Sequence, residues 1–157
     1  MSGPINYKFW TICIIEKEGK ILLLDRQHGN FKGFLPPGGK VDFPESFVDS
    51  AKREVKEETG LTVRNLTYKG LYEYVNEVKK DRFIIFHYYT KDFEGKILEY
   101  PPEGKVDWYP IESLEELPMQ ESFRRRIPYL LKEGTFEIQV EWDEENNREG
   151  RIQVSNT

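Results

Sequence analysis

Residues 25–41 carry four glycines and two prolines and end in Pro36-Pro37-Gly38-Gly39-Lys40, a composition that must make a loop. The next stretch has the opposite character. Residues 46–59 hold few helix breakers and place Val48, Ala51 and Val55 at helical spacing. Ser46 suits the N-cap with Asp49 three residues on, and Gly60 stands where a left-handed C-terminal cap belongs. A loop followed by a capped amphipathic helix is therefore the pivot around which the remaining segments must pack.

Those segments read as strands. Residues 8–15 and 20–24 are rich in aromatic and β-branched side chains and flank the turn Glu16-Lys17-Glu18-Gly19. Residues 66–75 and 82–90 form a second strand pair around the charged turn 77–81, which predicts a hairpin. Pro101-Pro102-Glu103-Gly104 is a loop leading into a short strand at 106–109. Helical pieces follow at 111–116 and 122–132, the second interrupted or bent at Pro128. In the tail Phe136, Ile138, Val140 and Trp142 share one face, Ile152 and Val154 resume the alternation, and a closing hairpin results. With no internal repeat or linker, residues 1–157 are expected to form one α+β domain with a mixed sheet.

Composition narrows the function. The 157 residues suit one domain, and ten Phe, nine Tyr and three Trp argue against disorder. Lys and Arg number 23 against 28 Asp and Glu, so the formal charge is 23 − 28 = −5. An acidic chain is repelled by polyanions, which argues against a general nucleic-acid or membrane-surface binder. A small phosphorylated substrate stays open, because a metal ion supplies the missing positive charge. Cys13, the single cysteine, rules out an intramolecular disulfide and reads as a small buried strand residue. No window approaches a membrane span or a signal segment, so the expected location is the cytoplasm. Oligomeric state is not legible.

At 100° per residue, with Glu54 set at zero, Glu57 falls at about −60° and Glu58 at about +40°. Three carboxylates then share one arc, beside a core arc holding Ala51, Val48, Val55 and Thr59. Like charges at these spacings repel by roughly 0.2–0.5 kcal/mol per pair. Two accounts are open on geometry alone. One is a hard divalent cation with oxygen ligands. The other is a solvated face on which Arg53 pairs with Asp49 and Glu57 while Lys52 and Lys56 dilute the acid.

The spacing around the helix adds a second kind of information. Gly39, five residues, Glu45, seven residues, then Arg53-Glu54-Val55-Lys56-Glu57-Glu58-Thr59-Gly60-Leu61 matches every fixed position of the Nudix box. The chain resembles the Nudix hydrolase family. That resemblance implies an α/β/α sandwich with a mixed sheet and a loop–helix–loop catalytic segment over 39–61. It also implies Mg²⁺- or Mn²⁺-dependent cleavage of a nucleoside diphosphate linked to another group. By position, Glu54, Glu57 and Glu58 would be metal ligands with the carbonyl of Gly39, and Arg53 and Glu45 would orient them. A carboxylate must accept the proton of the attacking water. Glu58 is one candidate; Glu103, where MutT-like relatives carry a glutamate reaching the metal, is the other, unless it is simply a turn residue beside Pro102 and Gly104.

Within the family the chain is most similar to the MutT- and MutX-type branch, which implies hydrolysis of an oxidised purine nucleotide such as 8-oxo-dGTP to monophosphate and pyrophosphate. Lys40, after the double glycine, and Arg26 are candidates to meet phosphate. Phe34-Leu35 stand where some relatives place a Trp-Asn pair, and residues 118–121 where they place a tryptophan and paired acids. Leu35 cannot hydrogen-bond a base edge, whereas Gln120 and Glu121 can. Only modest discrimination between oxidised and ordinary purines is therefore expected. Two further readings stand beside this one. The first is a Nudix pyrophosphatase for ADP-ribose, a dinucleoside polyphosphate or a capped RNA. The second is a non-catalytic nucleotide-binding module, against which the intact Glu54, Glu57 and Glu58 set argues. His87 reads as strand packing, His28 as solvated, Arg124-Arg125-Arg126 as an exposed helix face, and Phe136 and Trp142 as sheet core.

Overall fold

The computed structural model describes residues 3–29 and 32–157. Strands β1 (Asn6–Lys17) and β2 (Lys20–Arg26) form a hairpin whose turn residues Glu18 and Gly19 take positive φ. The stretch after β2 is not wholly loop as expected; its residues 30 and 31 lie outside the described residues. It contains β3 (Gly33–Leu35), paired with β2, and β4 (Gly38–Lys40), paired with β1. Neighbouring strands supply the backbone partners, and that tertiary pairing overrides the local glycine and proline signal.

Helix α1 (Phe47–Thr59) is capped as the sequence predicts. The Asp49 N–H donates to Ser46 Oγ at 3.1 Å. Gly60, at φ 87°, closes the helix by donating to the Lys56 carbonyl at 3.0 Å. There follow β5 (Thr62–Arg64), β6 (Thr67–Asn76), β7 (Asp81–Thr90), β8 (Asp92–Glu94) and β9 (Lys105–Pro110). Next come a 3₁₀ turn (Ile111–Glu116), helix α2 (Glu121–Leu131), β10 (Phe136–Asp143) and β11 (Arg148–Asn156). The β6–β7 and β10–β11 hairpins match expectation. The small β5–β8 sheet does not, because three residues are too few to show a period. Helix α2 runs on through Pro128, which is exposed.

The strand order is β11-β10-β6-β7-β1-β2-β3, with β4 also on β1 and β9 also on β2. β1 runs parallel to β7 and β6 parallel to β10, so the sheet is mixed. Alternation along β1 separates its two faces. Cys13 and Ile15 pack with Ala51 and Val55 of α1, while Ile14 packs with Phe123 and Leu130 of α2. The result is an α+β sandwich with a helix on each face. Each fully buried Ile or Leu contributes roughly 1.5–3 kcal/mol. Val48, expected in the core stripe, is 37% exposed in the first turn of α1. No described helix is long and apolar enough to cross a membrane.

His87 is fully buried on β7, as packing predicts. Its Nδ1 lies 3.0 Å from the Gly70 carbonyl and must donate to it, which leaves Nε2 to accept from Arg126 Nη1 at 2.7 Å. Burial, then the adjacent Arg126 charge, holds its pKa well below 6.5. The unfolded chain therefore binds a proton below pH 6.5 that the folded protein does not. Unfolding free energy should fall with acidification below that pH, at a limiting slope of about 1.4 kcal/mol per unit from this group. Urea titrations of the protein and of His87→Gln at pH 7.5 and 5.5 check this; equal pH dependence in both would remove His87 as the cause.

Candidate active site

The double glycine sits where strand β4 meets α1, and side chains are excluded there. A Cβ on Gly38 would lie 2.1 Å from the Thr11 carbonyl oxygen, and one on Gly39 would lie 2.5 Å from the Glu54 carboxyl carbon. Glu54 is thus laid directly against the backbone of Gly39. The Gly38 N–H donates to Glu58 Oε1 at 3.3 Å. Glu58 is only 7% exposed, although the helical wheel puts it in the acid arc beside the core arc. Its position at the seam between acid and core arcs explains this: a small rotation of the helix sinks it. Burial, then a hydrogen bond shared with Glu54, raises its pKa far above the carboxylate range.

Arg53 organises the neighbouring acids. Its guanidinium donates to Glu45 through Nη2 at 2.7 Å and Nε at 3.0 Å, and through Nη1 to Glu54 at 2.9 Å and Glu57 at 3.2 Å. Nη2 also reaches the Lys40 carbonyl at 3.2 Å, tying the helix to β4. The Arg53 hydrogen bonds, then the Asp42 backbone N–H, hold Glu45 well below the usual carboxylate range. Glu57 is drawn outward, with 58% of its side chain exposed. Among the described residues no three acidic or imidazole groups form a finished cation cage, so the three-carboxylate arc is not gathered into one cluster.

Glu103 approaches from the β8–β9 loop. Its charge adds to the rise at Glu58, and its Oε2 is buried without a hydrogen-bond partner among the described residues. That atom lies 3.6 Å from Arg26 Nη2 and 4.0 Å from His28 Nε2. Two touching carboxyls with a third carboxylate nearby repel one another when ionised. A hard divalent ion, taking oxygen ligands and keeping several waters, relieves that repulsion. The donor set fits such an ion.

A cavity of about 660 Å³ opens on the other side of Gly38 and Gly39, which line it. This size suits a small ligand. Strand register builds its wall: Trp10 lies opposite Ile85, Tyr72 opposite Ile85, and Tyr74 opposite Phe83. Tyr74 stacks on Phe83 at 5.4 Å, and Trp10 meets Phe83 edge-on at 5.7 Å. Trp142 lines the cavity as well and is half-buried, where sheet core was expected; near the end of β10 its ring meets Tyr74 at 6.1 Å.

The other expected positions divide. Arg26, Leu35 and Gln120 line the cavity, whereas Lys40 and Glu121 are exposed and stand outside its lining. The basic run of α2 is not one solvated face. Arg124 caps the carbonyls of Leu114 and Leu117, Arg125 pairs with Glu149 at 2.9 Å, and Arg126 is buried. Helical spacing turns three consecutive residues to three directions, so a basic run need not share an environment. Trp10, Tyr72, Tyr74, Phe83 and Arg126 are cavity residues that sequence reading missed. Period-two aromatics on β6 and β7 carried the signal, but their pairing across strands did not show.

The family model for the NUDIX domain matches residues 8–130, and the chain belongs to the Nudix family. It is a hydrolase acting on the diphosphate linkages of nucleotides. One relative is the uncharacterised Nudix hydrolase YvcI of Bacillus subtilis (strain 168), 26% identical over 141 residues, 85% of this chain and 88% of that protein. Another is the oxidised purine nucleoside triphosphate hydrolase of Danio rerio, 28% identical over 135 residues, 82% of this chain and 83% of that one. The crystal structure of a MutT protein from Bacillus halodurans superposes with a TM-score of 0.80 at 26% identity, covering 94% of this chain and 97% of that one.

Proposed function

We propose that the protein hydrolyses purine nucleoside triphosphates, oxidised forms such as 8-oxo-dGTP included, to the monophosphate and pyrophosphate. The observation that carries this reading is the aromatic cavity, which shares Gly38 and Gly39 with the glutamate cluster. A base stacked in the cavity would run its phosphates past Leu35 and the glycine pair toward Glu54 and Glu58. The relative named for oxidised purine triphosphates supports the same substrate class.

Glu54, Glu57 and Glu58, with the Gly39 carbonyl, would hold Mg²⁺ or Mn²⁺. Nudix hydrolases generally use such a metal, which when bound offsets phosphate charge and acidifies water. Arg53 positions Glu45, Glu54 and Glu57 through its fork of donors. Glu58 and Glu103, whose charge is felt at Glu58, are the two candidates to accept the proton of the attacking water. Arg26 and Lys40 add positive charge where phosphates would emerge.

A substrate panel tests the reading: 8-oxo-dGTP, dGTP, ADP-ribose and a dinucleoside polyphosphate, with phosphorus products identified. Pyrophosphate released from the triphosphates is the expected result, with an 8-oxo-dGTP to dGTP ratio of kcat/KM below about 200, the range of apolar contacts. Preference for ADP-ribose or the dinucleotide would move the protein to the other pyrophosphatase class and leave the metal chemistry as it is.

A further inference from the structure

We infer that Arg126 is a specificity-determining residue that reads the 6-oxo group of a purine, so that guanine- and hypoxanthine-type nucleotides are preferred over adenine nucleotides. This rests on the reading that the cavity holds the base. Arg126 lines the cavity and is only 6% exposed. It stands on α2, on the opposite face of the sheet from the glutamate helix, so its charge is not part of the phosphate site. Among the described residues no carboxylate pairs with it; the groups acting on its charge are the Tyr72 hydroxyl and Arg125. Glu149, the acid on the same wall, is already taken by Arg125 at 2.9 Å.

The guanidinium is also held in place. Nε donates to the Ser122 carbonyl at 3.0 Å, and Nη1 donates to His87 Nε2 at 2.7 Å. Gly70 fixes His87 in the tautomer that can only accept at Nε2. The Arg126 Cζ lies 4.6 Å from the centre of the Tyr72 ring and 5.6 Å from that of Phe123. A buried cation fixed on four sides and facing an aromatic slot is a ready-made reader, because little ordering remains to be done on binding.

Arginine carries donors only. Guanine offers O6 and N7 as acceptors along one edge, whereas adenine offers N7 beside the 6-amino donor. The amino group would meet a donor in a dry site, with neither satisfied. Oxidation at C8 leaves O6 in place, so this reader does not separate 8-oxoguanine from guanine by that group. Discrimination then runs along the 6-oxo/6-amino axis, which Leu35 cannot sense.

Steady-state kcat/KM for dGTP, dITP and dATP tests the inference, with Arg126→Met, which carries no donor, and Arg126→Gln, whose amide both donates and accepts, beside the unaltered protein. The unaltered protein should prefer dGTP and dITP alike over dATP by about 10- to 100-fold. Both folded variants should bring that ratio to within a few-fold of one while still releasing pyrophosphate. Arg126→Met leaves His87 Nε2 without its donor; if it fails to fold, Arg126→Gln and the unaltered protein's own ratios carry the decision. Equal rates on dGTP and dATP, dITP behaving like dATP, or an unchanged ratio in a folded variant would overturn it. Absence of pyrophosphate from every triphosphate would instead sink the substrate reading above, a separate failure.

Discussion

In excess chelator the protein should release no product from any nucleotide, and Mg²⁺ or Mn²⁺ should restore full activity. The expectation follows from Glu54 and Glu58 lying in contact, with the Glu103 charge close enough to add to their repulsion. Gly39, which leaves no room for a side chain, presses the Glu54 carboxyl against the backbone. Such an arrangement suits a triphosphate only if a cation stands between the acids and the phosphate oxygens. Thermal unfolding gives a second readout that needs no substrate. A cation at about 100 times its Kd stabilises by about 2.7 kcal/mol, which raises Tm measurably. Full activity in the chelator, or no change in Tm on adding either metal, would remove the assignment.

Replacing Glu58 by Gln should lower kcat by about 10² to 10⁴, the span of a lost acid–base group, without loss of the fold. Stability in the metal-free protein should hold or rise. The amide fills the same space, keeps an acceptor for the Gly38 N–H, and carries no charge to be opposed by burial and by Glu54. Glu57→Gln, at an exposed position, should leave stability near that of the parent. An unfolded Glu58→Gln protein would mean the carboxyl is structural, and an unchanged kcat would shift the proton-accepting role to Glu103.

Much of the glutamate side of the candidate site was legible because its determinants are local. The Ser46 cap, the Gly60 stop and the spacing from Gly39 to Glu58 all fall within one short stretch of chain. A helical wheel is accurate for angle and silent on depth. It placed Glu58 at the edge of the acid arc, and the sheet decided that this edge lies under the surface. The cavity was less legible because its parts converge from β1, β6, β7, α2 and β10, which meet only through strand pairing. Trp142 alternates with core residues along β10, yet near the strand's end it lines the opening. Arg126 shows the same limit: its two neighbours in the basic run find exposed or shallow partners, and only the fold turns it inward.

The two faces of the sheet divide the labour, and the two glycines of β4 are where they meet. Side chains of Tyr74, Phe83 and Trp142 stand on one face with α2, while Glu54 and Glu58 belong to the helix on the other. If the cavity takes the base as proposed, substitutions in the aromatic wall would change what is gripped without displacing a glutamate. On the proposed reading, drift in base preference would be decoupled from loss of hydrolysis, and a lineage built on this frame could acquire new nucleotides by changing one layer at a time. Gly38 and Gly39 have no such latitude, since any side chain there strikes backbone or carboxylate. On that reading they are the positions at which a single mutation would damage recognition and chemistry together.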